Sequence, residues 1–431
     1  MSEDIQKELS DAKKKLRMYE GLFEANAAVT SSLHMREVLN LVMEKARELL
    51  NTEAASIFLL DDKTDELVLE VSTNLSERFN DESKKIRFPR GKGVAGWVAK
   101  SGKPVLTDDI SKDHRFYIGV QHRTGFVTRS YLCVPLKLQD RIIGTAQVMN
   151  RNDSSSFNED DLNIMEGFAR QAAIALENSR LHEEELAKKR LEEEMEQAHR
   201  IQANLFPAND PEIPGYDISG ITFACRWVGG DYYDFIMSDK GNLGIAVGDV
   251  CGKGMPAAVM MSTTQAVLRS LTNQGLSLNK IVPNLNNYLY KNTSVDKFVT
   301  FFYGELDSKT NEFNYINGGH NPPFIIRKNG SIELMPEGGL ILGVVENYEY
   351  EVGNIHLDVG DVAILYTDGV TEVHNEKGGM FGEERLMDLI RKVVDKPAHD
   401  IIDSVHTAGV KFSGKRGLDD DFTILCIKRR E

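Results

Sequence analysis

Cysteine is scarce in this sequence: its 431 residues include four, Cys133, Cys225, Cys251 and Cys426. They lie far apart, and no two of them have the CxxC spacing of a zinc knuckle or a redox motif. A disulfide framework or a zinc site is therefore not expected. Reduced thiols in a cytosol fit this pattern better.

Long apolar runs and an excess of basic charge are also missing. No stretch approaches 18 consecutive apolar residues, and the charged start MSEDIQKELSDAKKK lacks the apolar segment of a signal peptide. Lys and Arg number 51 against 66 Asp and Glu, which gives a formal net charge of −15. Because an acidic chain repels phosphate backbones, nucleic acid and anionic membranes are poor candidates as partners. These absences predict a cytoplasmic protein without a membrane span.

The length predicts two or three domains, at roughly 100–200 residues each. Within 1–23, apolar side chains recur at alternating spacings of 4 and 3: Ile5, Leu9, Ala12, Leu16, Tyr19 and Phe23. This heptad period predicts a coiled-coil helix that pairs two chains. A single amphipathic helix lying on its own domain explains the same pattern, and both interpretations stay open.

Residues 24–180 mix helical and strand patterns. Helices are predicted near both ends of this segment, over 35–50 and 160–181. Between them lie predicted strands, at 55–60, 66–72, 131–138 and 142–150. Strands with helices at both ends are typical of an α+β sandwich.

Residues 181–207 continue as a charged helical linker, which prolines end from residue 207 onward. Glu184 and Lys188 interrupt its heptad frame. Five apolar residues share that frame: Leu181, Leu191, Met195, Ala198 and Leu205. So weak a seam fits a poor coiled coil, a solvated helix or a helix that changes partners.

The last segment, 208–431, is dominated by short apolar runs separated by turn signals. Longer helical periods occur at four places, 256–271, 278–289, 383–394 and 399–412. Many strands with a few longer helices predict a β-sandwich flanked by helices.

Acidic residues stand beside strand signals at four places in this segment. Asp249 and Asp368 each follow an apolar strand, Asp231 stands in VGGDYYDF, and the run 419–421 precedes FTILCIK. Antiparallel strands place the end of one beside the start of the next, so these carboxylates can converge on one edge. Oxygen ligands suit Mg(II) or Mn(II), and two such ions can clamp a transferring phosphoryl group. Taken singly, each Asp is equally ordinary turn punctuation, so both interpretations stay open.

The order and spacing of seven motifs resemble a known family. Seven strings resemble the SpoIIE/RsbU type of bacterial PPM phosphatases across residues 215–430: VGGDYYDF, GDVCGKGMPAA, FVTFFYGELD, NGGHNPPF, LYTDGVTE, FGEERL and DDDFTIL. The resemblance implies a β-sandwich flanked by helices and a site for two Mn(II) or Mg(II) ions. It also implies hydrolysis of phosphoserine or phosphothreonine in a protein, without a phosphoenzyme.

The resemblance assigns site roles residue by residue. Asp249 would bridge the two ions, and Asp231 would be a ligand or would accept a hydrogen bond from bound water. The implied ligands are Asp231, Asp249, Asp368, Asp420 and the backbone carbonyl of Val250. Asp420 is the first Asp of the DDxT pattern, and Asp419 is the alternative one residue earlier.

Two further residues carry open interpretations within this family pattern. Arg226 stands where the family often has a catalytic arginine, so a phosphate contact and a surface salt bridge both stay open. His320 in GHNPP is more typical of a structural histidine beside a turn.

Residues 24–180 resemble a GAF sensor domain. The strings that carry the resemblance are RGKGVAGWVAKSGKPVLTDDISKDHRF, YLCVPLKLQDRIIGTAQVMNR and SFNEDDLNIMEGFARQAAIALEN. The pattern of members that bind cyclic nucleotides departs at Arg151 and Leu162, which puts such a ligand in doubt. The ligand is unknown, and Cys133 is expected in the core rather than at a chromophore.

These parts together predict a regulated homodimer. A signal in the GAF domain would shift the helix at 198–207, then the helix near Pro256 and the carboxylate of Asp249. By family resemblance, the substrate would be a phosphorylated anti-anti-sigma protein with a STAS fold in a partner-switching pathway. A docking protein without activity is disfavoured because no metal carboxylate is lost. A cyclase or HD phosphodiesterase is disfavoured because their motifs are missing.

Overall fold

The structure of the protein is a computed structural model. It describes residues 35–73, 86–117, 119, 125–238, 241–294, 296–414 and 417–430, with six single positions among the first 23. The chain folds as two compact units, Met1–Lys189 and Arg190–Glu431, called the N-terminal and C-terminal units below. Leu9 and Tyr19 lie outside the described residues, so the coiled coil at 1–23 stays a prediction. None of the described helices combines the length and the apolar composition that a membrane span needs.

An antiparallel sheet forms the centre of the N-terminal unit. Its strands are β1 (Thr52–Asp61), β2 (Glu66–Ser72), β3 (Arg87–Pro89), β4 (Val105–Thr107), β5 (Tyr131–Leu138) and β6 (Arg141–Arg151). They lie side by side in the order β3-β2-β1-β6-β5-β4. The accompanying helices are α1 (Met35–Leu49), α2 (Gly93–Ser101) and the long helix α3 (Glu159–Ala203), with a 3-10 turn at Ile110–Lys112.

The two faces of this sheet pack against different helices, because successive side chains of a strand point to opposite faces. Ala55 and Ile57 of β1 share a buried cluster with α1 and the first part of α3. Ala54 and Phe58 join a second cluster with α2 on the other face. The α1 side chains that fill the first cluster recur at helical spacing: Val38, Leu39, Val42, Met43 and Ala46. This layering confirms the predicted α+β sandwich.

Helix α3 runs without interruption over 45 residues and crosses from the N-terminal into the C-terminal unit. The Asn158 side chain accepts hydrogen bonds from the backbone N–H groups of Asp160 and Asp161 and so caps the start of the helix. The helix ends at Ala203. Leucines of the predicted 181–207 linker are exposed along it, and their pairing across a dimer stays a prediction.

The C-terminal unit contains two sheets. The first has the order β14-β11-β10-β9-β8 with β15 beside β11, and the second has the order β13-β12-β16-β17-β7. The strands are β7 (Tyr216–Phe223), β8 (Tyr232–Met237), β9 (Leu243–Val250), β10 (Val299–Asp307), β11 (Glu312–Gly318), β12 (Phe324–Ile326), β13 (Ile332–Leu334), β14 (Gly338–Gly339), β15 (Gly353–His356), β16 (Val362–Tyr366) and β17 (Phe422–Arg429). The helices are α4 (Met255–Asn273), α5 (Leu278–Asn292), α6 (Asp368–Thr371), α7 (Glu383–Val393) and α8 (Ala398–Ser413).

The two sheets pack face to face and each carries helices on its outer face. Ile245 and Val247 of β9 share the central cluster with Leu365 of β16. Ala246, between them, points the other way and joins a cluster with α4 and α5. The outer face of the second sheet packs against α7 and α8. This arrangement confirms the β-sandwich flanked by helices.

Strand register decides which residues gather at one end of this sandwich. Tyr232 at the start of β8 pairs with Gly248 near the end of β9. Tyr366 at the end of β16 pairs with Ile424 near the start of β17. Antiparallel pairing thus brings strand starts beside strand ends in both sheets.

Candidate active site

Carboxylates from four separate segments come together at this end of the sandwich. Asp231 directly precedes β8, and Asp249 is the second-last residue of β9. Asp368 begins α6, two residues after β16 ends, and the run 419–421 leads into β17. Their charges act on one another. In addition to burial, the charge of Asp249 raises the pKa of Asp231, and the charge of Asp368 raises the pKa of Asp249. The first sheet thus contributes two carboxylates and the second sheet the others.

Asp231 is buried and is held by hydroxyl groups from the other sheet. Thr367 and Thr423 both donate hydrogen bonds to its Oδ2, at 2.8 and 2.5 Å. Burial first, and then the charge of Asp249, raise the pKa of the Asp231 carboxyl well above its ordinary value. The two hydroxyls oppose that rise, because they stabilise the ionised form.

Asp249 lies at the centre of the carboxylate cluster. Burial, and then the charges of Asp368, Asp420 and Asp421, raise its pKa to about 7. Burial, followed by nearby carboxylates, also raises the pKa of Asp368. A cluster of mutually repelling carboxylates is stabilised by added positive charge, and an all-oxygen donor set suits hard divalent cations. The residues present therefore fit the Mg(II) or Mn(II) site that the family implies.

The run 419–421 divides into three different environments. Both carboxylate oxygens of buried Asp421 accept backbone hydrogen bonds, from the N–H groups of Cys225 and Gly230 at 2.8 and 2.7 Å. Asp420 instead forms a 2.7 Å ion pair with Lys253. Asp419 Oδ2 lies 3.5 Å from a nitrogen of His374.

These contacts bear on which of the three aspartates faces the cluster. The charge of Asp420 is among those that raise the pKa values of Asp249 and Asp368. Its carboxylate also forms the ion pair with Lys253. Asp420 as the ligand, with Asp419 as the alternative, stays a prediction.

The backbone carbonyl of Val250 approaches the loop before β8. A Cβ placed on Gly230 would lie 2.9 Å from that carbonyl oxygen and 3.6 Å from Asp249 Oδ1. Glycine is therefore needed at 230 for this close approach. The role of this carbonyl as a metal ligand stays a prediction.

Arg226 lies in the same loop but does not touch the carboxylates. Its side chain is exposed, and it makes no hydrogen bond or ion pair with another residue in the described part of the chain. The structure thus does not show the surface salt bridge that was one of its two interpretations. Its phosphate contact stays a prediction.

His320 connects the two sheets rather than facing the carboxylates. Its ring nitrogens lie 2.9 Å from the Thr300 hydroxyl on β10 and 3.0 Å from the Tyr366 carbonyl on β16. Burial lowers its pKa to about 4, so the ring is neutral near pH 7. A neutral histidine that forms one hydrogen bond to each sheet connects the two sheets.

Several residues of this site were not singled out from the sequence. They are Gln202, Lys253, Thr367 and Thr423. Thr367 lies within the LYTDG motif and Thr423 within the DDFT motif, and that position is the sequence signal for them. Their partners lie more than 130 residues away in the chain, so the sequence alone does not reveal the contacts.

The N-terminal unit has its own cavity, of about 80 Å³. A buried polar strip lines it, in which Gln147 accepts a hydrogen bond from Tyr131 and donates one to Ser56 at 2.8 Å. Aromatic side chains form much of the remaining wall: Phe58, Phe88, Phe116, Tyr117 and Phe126. Cys133 is fully buried, and burial raises its pKa to about 12.

Comparison with known proteins decides the family. The family model described as Stage II sporulation protein E (SpoIIE) matches residues 239–430, and the GAF domain model matches residues 34–176. Phosphoserine phosphatase RsbU of Bacillus subtilis (strain 168) is 31% identical over 241 residues, which cover 56% of this chain and 71% of RsbU. The chain belongs to the SpoIIE/RsbU family. It is a protein serine/threonine phosphatase with a GAF domain, as its motifs predicted.

Two further proteins resemble this SpoIIE/RsbU-type chain. Protein IcfG of Synechocystis sp. (strain ATCC 27184 / PCC 6803 / Kazusa) is 26% identical over 270 residues, which cover 55% of this chain and 41% of IcfG. The SiaA-PP2C domain of Pseudomonas aeruginosa is 20% identical, with a TM-score of 0.50. That likeness covers 57% of this chain and 99% of the SiaA domain, and it supports the fold.

Proposed function

We propose that this phosphatase uses two Mn(II) or Mg(II) ions to remove phosphate from serine or threonine of a STAS-fold protein, under control of its GAF domain. The observation that carries the proposal is the carboxylate cluster at one end of both sheets. Burial first, and then the charges of neighbouring carboxylates, raise the pKa values of Asp231, Asp249 and Asp368. Bound divalent cations would supply the positive charge that stabilises these carboxylates in their ionised form.

The ligands would come from the residues that the family pattern names. Asp249, Asp368 and Asp420 would hold the ions, together with the carbonyl of Val250 and with Asp231 as a ligand or an acceptor for bound water. When bound, the ions would stabilise charge on the transferring phosphoryl group and lower the pKa of water at the site.

The chain's own side chains would orient the reaction. Asp231 has its Oδ2 fixed by two hydroxyls, so its other oxygen would orient water or accept its proton. Arg226 has an exposed guanidinium without a partner in the described chain, so it would contact the substrate phosphate. Lys253 would give up its ion pair with Asp420 when that carboxylate binds a divalent cation.

The substrate and the partners are inferred from the family. RsbU carries the name phosphoserine phosphatase, and its likeness to this chain supports a phosphoprotein substrate. We extend this to an anti-anti-sigma protein with a STAS fold. The proposal also includes a homodimer, a cytoplasmic location, and a small molecule or protein that acts as the signal at the GAF domain. Its proposed domain limits are 1–23, 24–180, 181–207 and 208–431.

The substrate proposal is tested with one phosphoserine in two contexts. Phosphate release with Mn(II) is measured for an intact STAS-fold phosphoprotein and for the short phosphopeptide cut from it. If the enzyme recognises the folded partner, the intact protein has a kcat/KM at least about tenfold higher, since remote contacts stabilise the transition state. Equal values for the two would remove the STAS proposal and leave the phosphatase activity standing.

A further inference from the structure

Exposed apolar side chains surround the carboxylate cluster at its end of the sandwich. Three separate segments supply them, and the residues are Trp227, Met255, Leu340, Val344 and Val345. Each of these five residues is 40–51% exposed. Single apolar residues on a protein surface are normal, so their position relative to the site decides whether they have a function.

The first sheet places the segment that contains Val344 at the carboxylate end of the sandwich. Val250, the last residue of β9, pairs with Val299 at the start of β10. Val299 in turn pairs with Leu342. Leu342 therefore lies two strand spacings, about 10 Å, from Val250. Val344 follows two residues later.

The start of α4 is a direct neighbour of this segment. The Cys251 thiol accepts a hydrogen bond from the Phe298 N–H at 3.2 Å. A Cβ placed on Gly343 would lie 3.9 Å from the Cα of the same residue, Phe298. Phe298 thus lies between the turn that leads to Met255 and the turn that leads to Val344. The two apolar segments are therefore close together.

Trp227 reaches the same end of the sandwich through the loop before β8. The N–H of Cys225, two residues before it, donates a hydrogen bond to Asp421 at 2.8 Å. Met255 likewise stands two residues after Lys253, which forms an ion pair at the carboxylate cluster. Both apolar side chains are thus only a few residues from groups that contact the carboxylates.

A protein substrate would cover this surface. Serine has a short side chain, so a folded protein whose phosphate reaches the carboxylates brings its own surface close to them. A specific interface buries about 800 Å² on each partner, which is a disc of roughly 16 Å radius. Leu342, about 10 Å from Val250, falls inside such a disc. Apolar side chains in this area favour a partner that is apolar there too, since burial then removes apolar surface from water.

We infer that these five side chains form a docking surface, called the apolar rim below, for a phosphoprotein that presents apolar side chains around its phosphoserine. The carboxylate site takes the phosphate, and the apolar rim recognises the protein that carries it. The inference rests on the proposed phosphatase function. It deepens that proposal by stating which chemistry the enzyme recognises on its folded partner.

The test compares one valine of the apolar rim with one valine at the opposite end of the sandwich. Val344→Lys and Val344→Glu place opposite charges on the rim. Val359→Lys and Val359→Glu are the matched controls. Val359 is 37% exposed and lies in the turn before β16, the strand whose other end leads to Asp368.

Steady-state kinetics of the full chain are measured with Mn(II) on two substrates. One is an intact, serine-phosphorylated STAS-fold protein. The other is p-nitrophenyl phosphate, which is too small to reach Val344. Sedimentation of each variant reports whether copies of the chain associate.

Both Val344 variants are expected to lower kcat/KM for the phosphoprotein about tenfold, chiefly through KM, because a binding contact is lost. Their kcat/KM for p-nitrophenyl phosphate stays at the wild-type value, and the Val359 variants match wild type on both substrates. Unchanged kinetics on the phosphoprotein would overturn the inference. A gain with one charge and a loss with the other would also overturn it, because the surface would then recognise charge. Altered sedimentation of the Val344 variants would assign the rim to a contact between copies of this chain, with the same consequence.

Failure of the proposed phosphatase function gives a different result. Wild type would then hydrolyse neither substrate with Mn(II), which removes the proposed cation site. Wild type that hydrolyses p-nitrophenyl phosphate but not the phosphoprotein would keep the cation site. It would overturn the inference, since another partner would then occupy the apolar rim.

Discussion

Single residues at this site are constrained by backbone oxygens as much as by side chains. A Cβ on Gly369, the residue after Asp368, would lie 1.8 Å from the carbonyl oxygen of Asp421. No side chain fits at that distance without moving one of the two segments. The DG of LYTDGVTE is therefore required by the close approach of two chain segments, and not only by a turn.

Replacing this glycine tests the close approach. Gly369→Ala is expected to destabilise the protein by about 1–3 kcal/mol, the usual cost of overpacking. Gly409→Ala is the control, because that helical glycine has ordinary room, with its nearest neighbour at 3.5 Å. Thermal melting of both variants measures the difference. Equal melting temperatures would show that the α6 backbone moves freely, contrary to this account.

The raised pKa of Asp249 predicts how the metal-free protein responds to pH. Its folded pKa is about 7 against an ordinary value of 3.8. The protonated carboxyl thus contributes stability that is fully present below about 3.8 and is lost as pH rises through 7. Melting temperature without metal is expected to fall over this window, by about 2–4 °C for each 1 kcal/mol lost.

Two comparisons isolate this effect from other titrations. Asp249→Asn has a neutral side chain of the same shape, so it should flatten the pH dependence. Mn(II) should raise the melting temperature of wild type most above pH 7, where its ligands are ionised. A wild-type protein that becomes more stable from pH 5 to 8 without metal would contradict the assignment.

The sequence predicted which carboxylates lie near one another, but not which contacts each of them makes. The sequence placed Asp249, Asp368 and the run 419–421 on one edge, because the end of one antiparallel strand lies beside the start of its neighbour. The sequence could not show that the Asp421 carboxylate accepts hydrogen bonds from the backbone N–H groups of Cys225 and Gly230. Those donors are 196 and 191 residues away.

At the scale of elements, the heptad pattern of helix α3 does not determine which contacts its residues make. The sequence predicted helix at 160–181 and again through the linker, and the structure shows one helix, Glu159–Ala203. Gln202 shares the heptad frame of Leu181, yet it is buried against Gly229 of its own chain. The predicted pairing between two chains would therefore involve only the turns before it. Heptad spacing alone does not distinguish these two kinds of contact.

Strengthening the seam tests whether α3 pairs two chains. Glu184→Leu with Lys188→Leu makes the heptad frame apolar from Leu181 to Ala198 and should stabilise the predicted dimer. We expect tighter association by sedimentation and a changed basal activity, because one of two packings is favoured. The control is Lys189→Leu with Glu193→Leu, the same exchange outside the frame. Unchanged association and unchanged activity in the seam variant would remove the regulatory role of this pairing.

At the scale of the whole molecule, the sequence succeeded where many local signals agreed. The two sandwiches, the GAF segment and the phosphatase segment each rest on several motifs in order, and matches at 34–176 and 239–430 support both. Short strands such as Gly338–Gly339 left no such signal, since two glycines carry no apolar alternation. The cavity of the N-terminal unit likewise had no local sequence signal, since its lining comes from separate segments between Ser56 and Met149.

The most direct measurement is phosphate release from a serine-phosphorylated protein, with and without Mn(II), by wild type and by Asp368→Asn. The control is Asp395→Asn, an exposed aspartate in the same unit. The account predicts release that requires Mn(II), persists in Asp395→Asn and falls by at least about a hundredfold in Asp368→Asn, as for the loss of a group that stabilises transition-state charge. Release that is independent of Mn(II), or that survives in Asp368→Asn, would contradict the central claim that this carboxylate cluster is a divalent-cation phosphatase site.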